Sequence, residues 1–106
     1  MRLQLIILNY CRGGNYIHNY AGVPPFLNNN TTFHTASNFE IKNWPGVQTP
    51  LPEAEWGNLV LDYSFGTADW VQNGNLHTVK GNLILRNTGN NRLVLTNSTT
   101  VTLNIG

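Results

Sequence analysis

The chain has 106 residues, six Lys and Arg against five Asp and Glu, a net charge of +1 and only 10% charged residues. That length holds one domain, and the charge balance leaves no electrostatic footprint for nucleic acid or for an anionic membrane surface. With 41% hydrophobic residues the chain is too apolar for disorder, while Asn, Thr and Gly take the place of the missing charge, a profile that suits an extracellular β-protein better than a cytosolic enzyme.

The chain starts Met1-Arg2, followed by Leu3-Gln4-Leu5-Ile6-Ile7-Leu8. This apolar run is interrupted, falls short of the ~7–15 residues of a signal-peptide core, and is followed by no small-x-small cleavage site. Bulky Tyr10 stands where a lipoprotein signal at Cys11 needs a small residue, and Cys11 is the single cysteine, which excludes an internal disulfide framework and a multi-cysteine zinc site. No stretch reaches the ~18 apolar residues of a membrane-spanning helix. We therefore expect no membrane insertion, an export signal outside these residues, and a chain that is a fragment of a longer protein.

Residues 1–25 read as an irregular start, in which Gly14-Asn15-Tyr16-Ile17 resembles a degraded repeat opening. Thr32 to Thr35 and Phe39 to Trp44 follow as the second and third strands of that first rung. Alternation directs Phe39 and Ile41 inward and Trp44 outward. Residues 45–55 contain three prolines and no alternation, and are expected to be a loop inserted at a corner, with Pro52-Glu53-Ala54-Glu55 forming one helical turn.

Residues 57–106 carry the regular repeats. Gly57-Asn58-Leu59-Val60-Leu61-Asp62 matches Gly81-Asn82-Leu83-Ile84-Leu85-Arg86 about two dozen residues later, and Gly106 falls where a third copy would begin. Between the openings lie strand candidates at Asp69 to Asn73 and Leu76 to Val79, then at Arg92 to Asn97 and Thr100 to Ile105. Gly and Asn turns separate them, residues that tolerate positive φ or bond locally to backbone. At ~3.3 Å per residue, two dozen residues with three corners close a triangular coil, and coils stacked ~4.8 Å apart place each strand beside its own copy. No segment of ten or more residues is available for a helical crossover. The expected fold is all-β, a right-handed single-stranded parallel β-helix (β-solenoid) of about three to four rungs with three short strands each, with 1–106 forming one segment. Leu59, Leu61 and Tyr63, with their later equivalents, face inward. Asp62 and Arg86 are expected to stack on the outer face, and Gly106 above Gly81.

The stretch Asn38-Phe39-Glu40-Ile41-Lys42-Asn43-Trp44, the Gly-Asn-Leu openings and the ending from Leu93 to Gly106 resemble the repeat regions of large bacterial surface and secreted β-helix proteins, over roughly residues 30–106. The resemblance implies an adhesin-like or stalk-like role, secretion or cell-surface localisation, further solenoid rungs beyond the C-terminus, and glycans or other cell-surface molecules as partners. It supplies no catalytic motif to transfer.

Residue by residue, the chemistry is sparse. His18, His34 and His77 lie on separate strands without zinc-type spacing, so no metal and no other cofactor is expected. Glu53 and Glu55 share the proline-rich loop with Trp56 behind them, which makes that loop the most plausible carbohydrate site, since paired carboxylates serve glycoside hydrolysis and Trp faces stack on sugar rings. Trp44, Trp56, Glu53 and Glu55 are accordingly the candidate glycan contacts. The leading reading is a non-enzymatic structural or interaction segment, and the alternative is a portion of a carbohydrate-active β-helix enzyme or a carbohydrate-binding module. An ice-binding threonine array over Thr99, Thr100 and Thr102 fails on the preceding rung, where Leu76-His77-Thr78 stands.

Overall fold

In the computed structural model, residues 14–96 and 101–106 are described. Eight strands run in chain order: β1 (Asn15–His18), β2 (Asn38–Ile41), β3 (Asn58–Asp62), β4 (Trp70–Val71), β5 (Thr78–Val79), β6 (Leu83–Asn87), β7 (Leu93–Val94) and β8 (Asn104–Ile105). They assemble into three parallel sheets, ordered β1-β2-β3-β6, β4-β7 and β5-β8. Each sheet is one side of a coil, so the protein is a β-solenoid of about four turns. Among the described residues there is no helix, hence none long and apolar enough to cross a membrane. The readings made on Leu3 to Leu8, Cys11 and Thr99–Thr100 lie outside the described residues.

The first side explains the repeat. Asn15 pairs with Asn38, Asn38 with Asn58, and Leu59 with Leu83. Steps of 23, 20 and 24 residues separate the four asparagines at positions 15, 38, 58 and 82. The segment Phe39 to Trp44, expected as the third strand of the first rung, instead opens the second turn, because Ser37-Asn38 stands where the other turns have Gly-Asn. At these openings the corner is tight. A Cβ on Gly57 would lie 2.2 Å from the His34 carbonyl oxygen, and one on Gly81 would lie 2.1 Å from Asn58 Oδ1. A side chain there would force the backbone apart.

The third side is four layers deep. Thr32 bridges Glu55, Trp56 bridges Val79, and Val79 pairs with Ile105. Consequently Gly106 lies beside Lys80, not Gly81, with its N–H donated to the Val79 carbonyl at 2.9 Å. The stacking of Gly106 above Gly81 expected from the repeat is thus off by one residue. Asp62 does not stack on Arg86 either. A register shift between Leu61 and Asp62 sets Asp62 opposite Asn87, and Arg86 reaches back two turns to Glu40 at 2.5 Å.

Residues 45–54 form the second side of turn two without a strand. No helical turn forms at Pro52–Glu55, because Ala54 is buried and Glu55 is drawn into the bridge with Thr32. Pro50 and Pro52 have no N–H to give a ladder, and side chains from turn three take over that task at Leu51. Gln72 Oε1 accepts the Leu51 N–H at 2.9 Å, and Asn75 Nδ2 donates to the Leu51 carbonyl at 2.9 Å.

Inside the coil, Leu59, Leu61 and Tyr63 are buried, as their alternation requires. Aromatic rings fill the first three turns. Tyr16 meets Phe39 at 4.8 Å, Phe39 meets Trp56 at 5.1 Å, and Phe33 stacks on Trp56 at 5.5 Å. A second group, Trp44, Trp70, Tyr63 and Phe65, packs towards the opposite corner. Each ring removes on the order of 150–250 Å² from water and gains further from offset or edge contacts.

Candidate functional site

The outer face of the four-stranded sheet carries a regular, hydrogen-bonded column of side-chain amides. Asn38 Nδ2 donates to Asn15 Oδ1 at 2.6 Å, and Asn58 Nδ2 donates to Asn38 Oδ1 at 2.9 Å. The backbone N–H of Asn82 then donates to Asn58 Oδ1 at 2.8 Å. An amide carries both donors and an acceptor, so identical amides stacked at the strand spacing link into a ladder. Beside it runs a second outward column, Ile17, Glu40, Val60 and Ile84. Ile17 is 60% and Ile84 45% exposed, while Glu40 is tied to Arg86 and lies 4.0 Å from Lys42 Nζ. The face therefore offers a row of amides and a row of aliphatics interrupted by one charge cluster, Glu40 with Arg86 and Lys42.

The ladder was missed as a site in the sequence, although its signal was present in Gly14-Asn15, Ser37-Asn38, Gly57-Asn58 and Gly81-Asn82. Only the two Gly-Asn-Leu copies are alike enough to stand out. The serine at position 37 conceals the second rung.

The expected glycan contacts are scattered by the fold. Trp44, expected outward, is buried. Alternation ends with β2 at Ile41, and the corner that follows turns the indole inward against His18 and Trp70. Its Nε1–H donates to the Thr49 carbonyl at 2.8 Å, and the same carbonyl accepts Trp70 Nε1–H at 2.9 Å. Trp56 is buried as well, so neither indole offers a face to solvent. Trp56 Nε1 and Gln72 Nε2 are buried without a hydrogen-bond partner among the described residues. Glu53 and Glu55 are exposed and flank buried Ala54. They face away from the indoles they were expected to join, and the Glu53 N–H is anchored to Asn29 Oδ1 at 3.0 Å.

The histidines stay apart. His34 Nδ1 accepts the Ala36 N–H at 3.0 Å, His77 Nδ1 lies 2.9 Å from Thr78 Oγ1, and among the described residues no group of three His, Cys, Asp or Glu could hold a metal ion. No pocket opens among them. His18 is the exception in burial. Its Nε2 donates to the Gly22 carbonyl at 2.5 Å, which leaves Nδ1 to accept the Tyr16 hydroxyl at 3.0 Å. Loss of hydration holds its pKa below the usual 6.5, against the opposing pull of the Gly22 and Tyr20 backbone.

At the far corner, Arg92 grips Asp69 through Nη2 at 2.7 Å and Nε at 3.0 Å, and the Arg92 backbone N–H adds a third bond at 2.7 Å. These bonds lower the Asp69 pKa and raise that of Arg92. Tyr63 is raised by burial first and by the Asp69 charge second, and its hydroxyl donates to the Ala68 carbonyl. Both contacts join successive turns or brace one corner.

The geometry thus defines a class, a β-solenoid with an ordered outer face. The chain matches no protein-family model, no curated protein and no solved structure.

Proposed function

We propose that the protein is a structural and interaction segment of a secreted or cell-surface bacterial repeat protein, acting as a stalk or adhesin-like display surface. The observation that carries this reading is the continuous stacking of four turns, with like residues above like residues both in the core and in the asparagine ladder. Such a body is quasi-one-dimensional, each turn being held by its neighbours. It is stiff along its axis and presents an asparagine at every step of its four-stranded face. The weakly charged, amide-rich exterior and the aliphatic column beside it supply a flat contact area for glycans or other surface molecules without a pocket.

Surface display is tested by adding protease to intact cells that express the protein in its native context. Cleavage of the solenoid while a cytosolic marker stays intact is the expected outcome, and full protection rejects the surface assignment. Binding is tested on a glycan array, where changing Asn38 and Asn58 to Asp, or Ile84 to Glu, abolishes any signal carried by the outer face. Polysaccharide turnover that disappears on Glu53→Gln or Glu55→Gln would instead establish the carbohydrate-active reading.

A further inference from the structure

Of all the asparagines in the chain, Asn73 alone is followed by glycine. In that dipeptide a side-chain amide is most open to attack by its own backbone, because glycine has no Cβ to shield its nitrogen or restrict the approach. Asn73 is exposed to water and stands at the corner that follows β4. Among the described residues it is also the one non-glycine residue with a positive φ. Its φ of 55° and the 80° of Gly74 are what the two central positions of a type I′ turn require. The Asn75 N–H closes that turn on the Gln72 carbonyl at 2.9 Å.

The β7 segment clamps this corner. Trp70 and Gln72 donate their N–H groups to the carbonyls of Arg92 and Val94, and Gly74 donates its own to the Leu95 carbonyl at 2.7 Å. The last bond holds the one backbone nitrogen placed to react with Asn73. To become a nucleophile, that nitrogen must lose its proton, and the resulting anion would then face the negative end of a carbonyl at hydrogen-bond distance. At the other end of the same ladder, the Asp69–Arg92 pair fastens β7 to β4.

We propose that Asn73-Gly74 is a conformation-gated modification site, at which Asn73 deamidates in water once the Gly74–Leu95 hydrogen bond opens. Hydroxide takes the Gly74 amide proton, and the nitrogen attacks Asn73 Cγ. The new N–Cγ bond forms as the Cγ–Nδ2 bond breaks, and the departing nitrogen takes a proton from water, which leaves as ammonia and restores the hydroxide. One water molecule then opens the cyclic imide. Addition at Cγ gives aspartate, whereas addition at the backbone carbonyl gives isoaspartate, with Gly74 now attached through Cγ. No atom changes oxidation state. Either product adds one negative charge, and isoaspartate lengthens the main chain by one methylene. At this corner the extra carbon separates Gln72 from Asn75, the two residues whose side chains hold Leu51 of the second turn. The consequence of the modification therefore reaches the turn below it, while protection comes from the turn above.

Peptide mapping by mass spectrometry tests this on the 106-residue chain, incubated in mildly alkaline buffer with and without denaturing urea. In urea the peptide that contains Asn73 is the first to exchange ammonia for water, and it becomes a substrate for isoaspartyl methyltransferase. In the folded chain the same conversion is at least about tenfold slower, because it waits for a local opening. Arg92→Ala loosens β7 and speeds the folded-state conversion about two- to fivefold, with the rate in urea unchanged. Asn73→Gly, which suits both positive-φ positions, abolishes the mass change at this peptide and retains the β circular-dichroism signal. Equal rates with and without urea, earlier conversion at another asparagine in urea, or an Arg92→Ala rate no faster than that of the unaltered chain overturns the proposal. Should Arg92→Ala fail to fold, the unaltered chain in sub-denaturing urea decides the matter: its deamidation must rise in step with hydrogen exchange at the Gly74 amide.

Discussion

Turns one to three and turn four share the same inward columns, yet they differ in what fills them and what covers them. The early turns stack Tyr16, Phe39, Trp56 and Phe33 on one side and Trp44, Trp70 and Tyr63 on the other, all but Tyr16 buried. The fourth turn continues those columns with Leu83, Leu85, Leu93 and Ile105, none of them buried. In a stacked coil a turn gains its stability from both neighbours. The lesson is that identical repeat sequence does not confer identical burial: Leu59 and Leu83 match in the repeat and pair in register, but among the described residues only Leu59 has a paired strand on each side.

This contrast can be broken most forcefully at Trp56. Trp56→Ala removes a ring that touches both Phe33 and Phe39 and leaves a large void, so a loss of about 3–5 kcal/mol is expected. Leu85→Ala in the fourth turn should cost less than about 1 kcal/mol, since half of that side chain is already in water. Urea unfolding measures both. Equal losses would mean that the last turn is as well packed as the others.

The ladder offers a gentler form of the same comparison. Asn58 both donates to Asn38 and accepts from Asn82, so Asn58→Ala should lose about 1–2 kcal/mol. Asn82 contributes only its backbone N–H to the ladder, and Asn82→Ala should stay within about 0.5 kcal/mol. If the two variants unfold at the same urea concentration, the ladder is decoration.

The smallest effect is set by pH and belongs to the first turn. The His18 pKa is lower in the folded protein than the 6.5 of the free side chain. The unfolded chain therefore binds the proton first as pH falls. The stability linked to neutral His18 is fully present above pH 6.5, declines as the pH drops below that value, and levels off below the folded pKa. Asp69 is depressed from 3.8, so its contribution persists until the pH falls below that point. His18→Gln should flatten the thermal midpoint between roughly pH 7 and pH 5 without altering the acid limb that Asp69 helps to set. An unchanged slope in that window would show that the imidazole is not the responsible group.

Much of the architecture was legible from residues 57–106, where Leu59/Leu83 and Leu61/Leu85 pair as their repeat implies. The alternation there separates a buried from a solvated face over five consecutive residues, which is a strong local signal. Residues 38–56 were harder. Position 37 is serine where glycine marks the other openings, the step from Asn38 to Asn58 is only 20 residues, and prolines suppress strand character. Their second side is held by Gln72 and Asn75, which lie in the next turn. The candidate site fared worse than the fold. Trp44 and Trp56 have the composition of a sugar platform, but their burial depends on corners whose direction no local pattern encodes.

By itself, then, the sequence determined the parallel coil, its repeat and the inward face of each regular strand, because strand periodicity and the two matching Gly-Asn-Leu openings are properties of neighbouring residues. Only the tertiary structure decided the partners of Asp62 and Arg86, the inward turn of Trp44, the continuity of the asparagine ladder and the thinner cover of the fourth turn. Each of these depends on contacts between turns, where a single shifted residue, as between Leu61 and Asp62, redirects every side chain that follows.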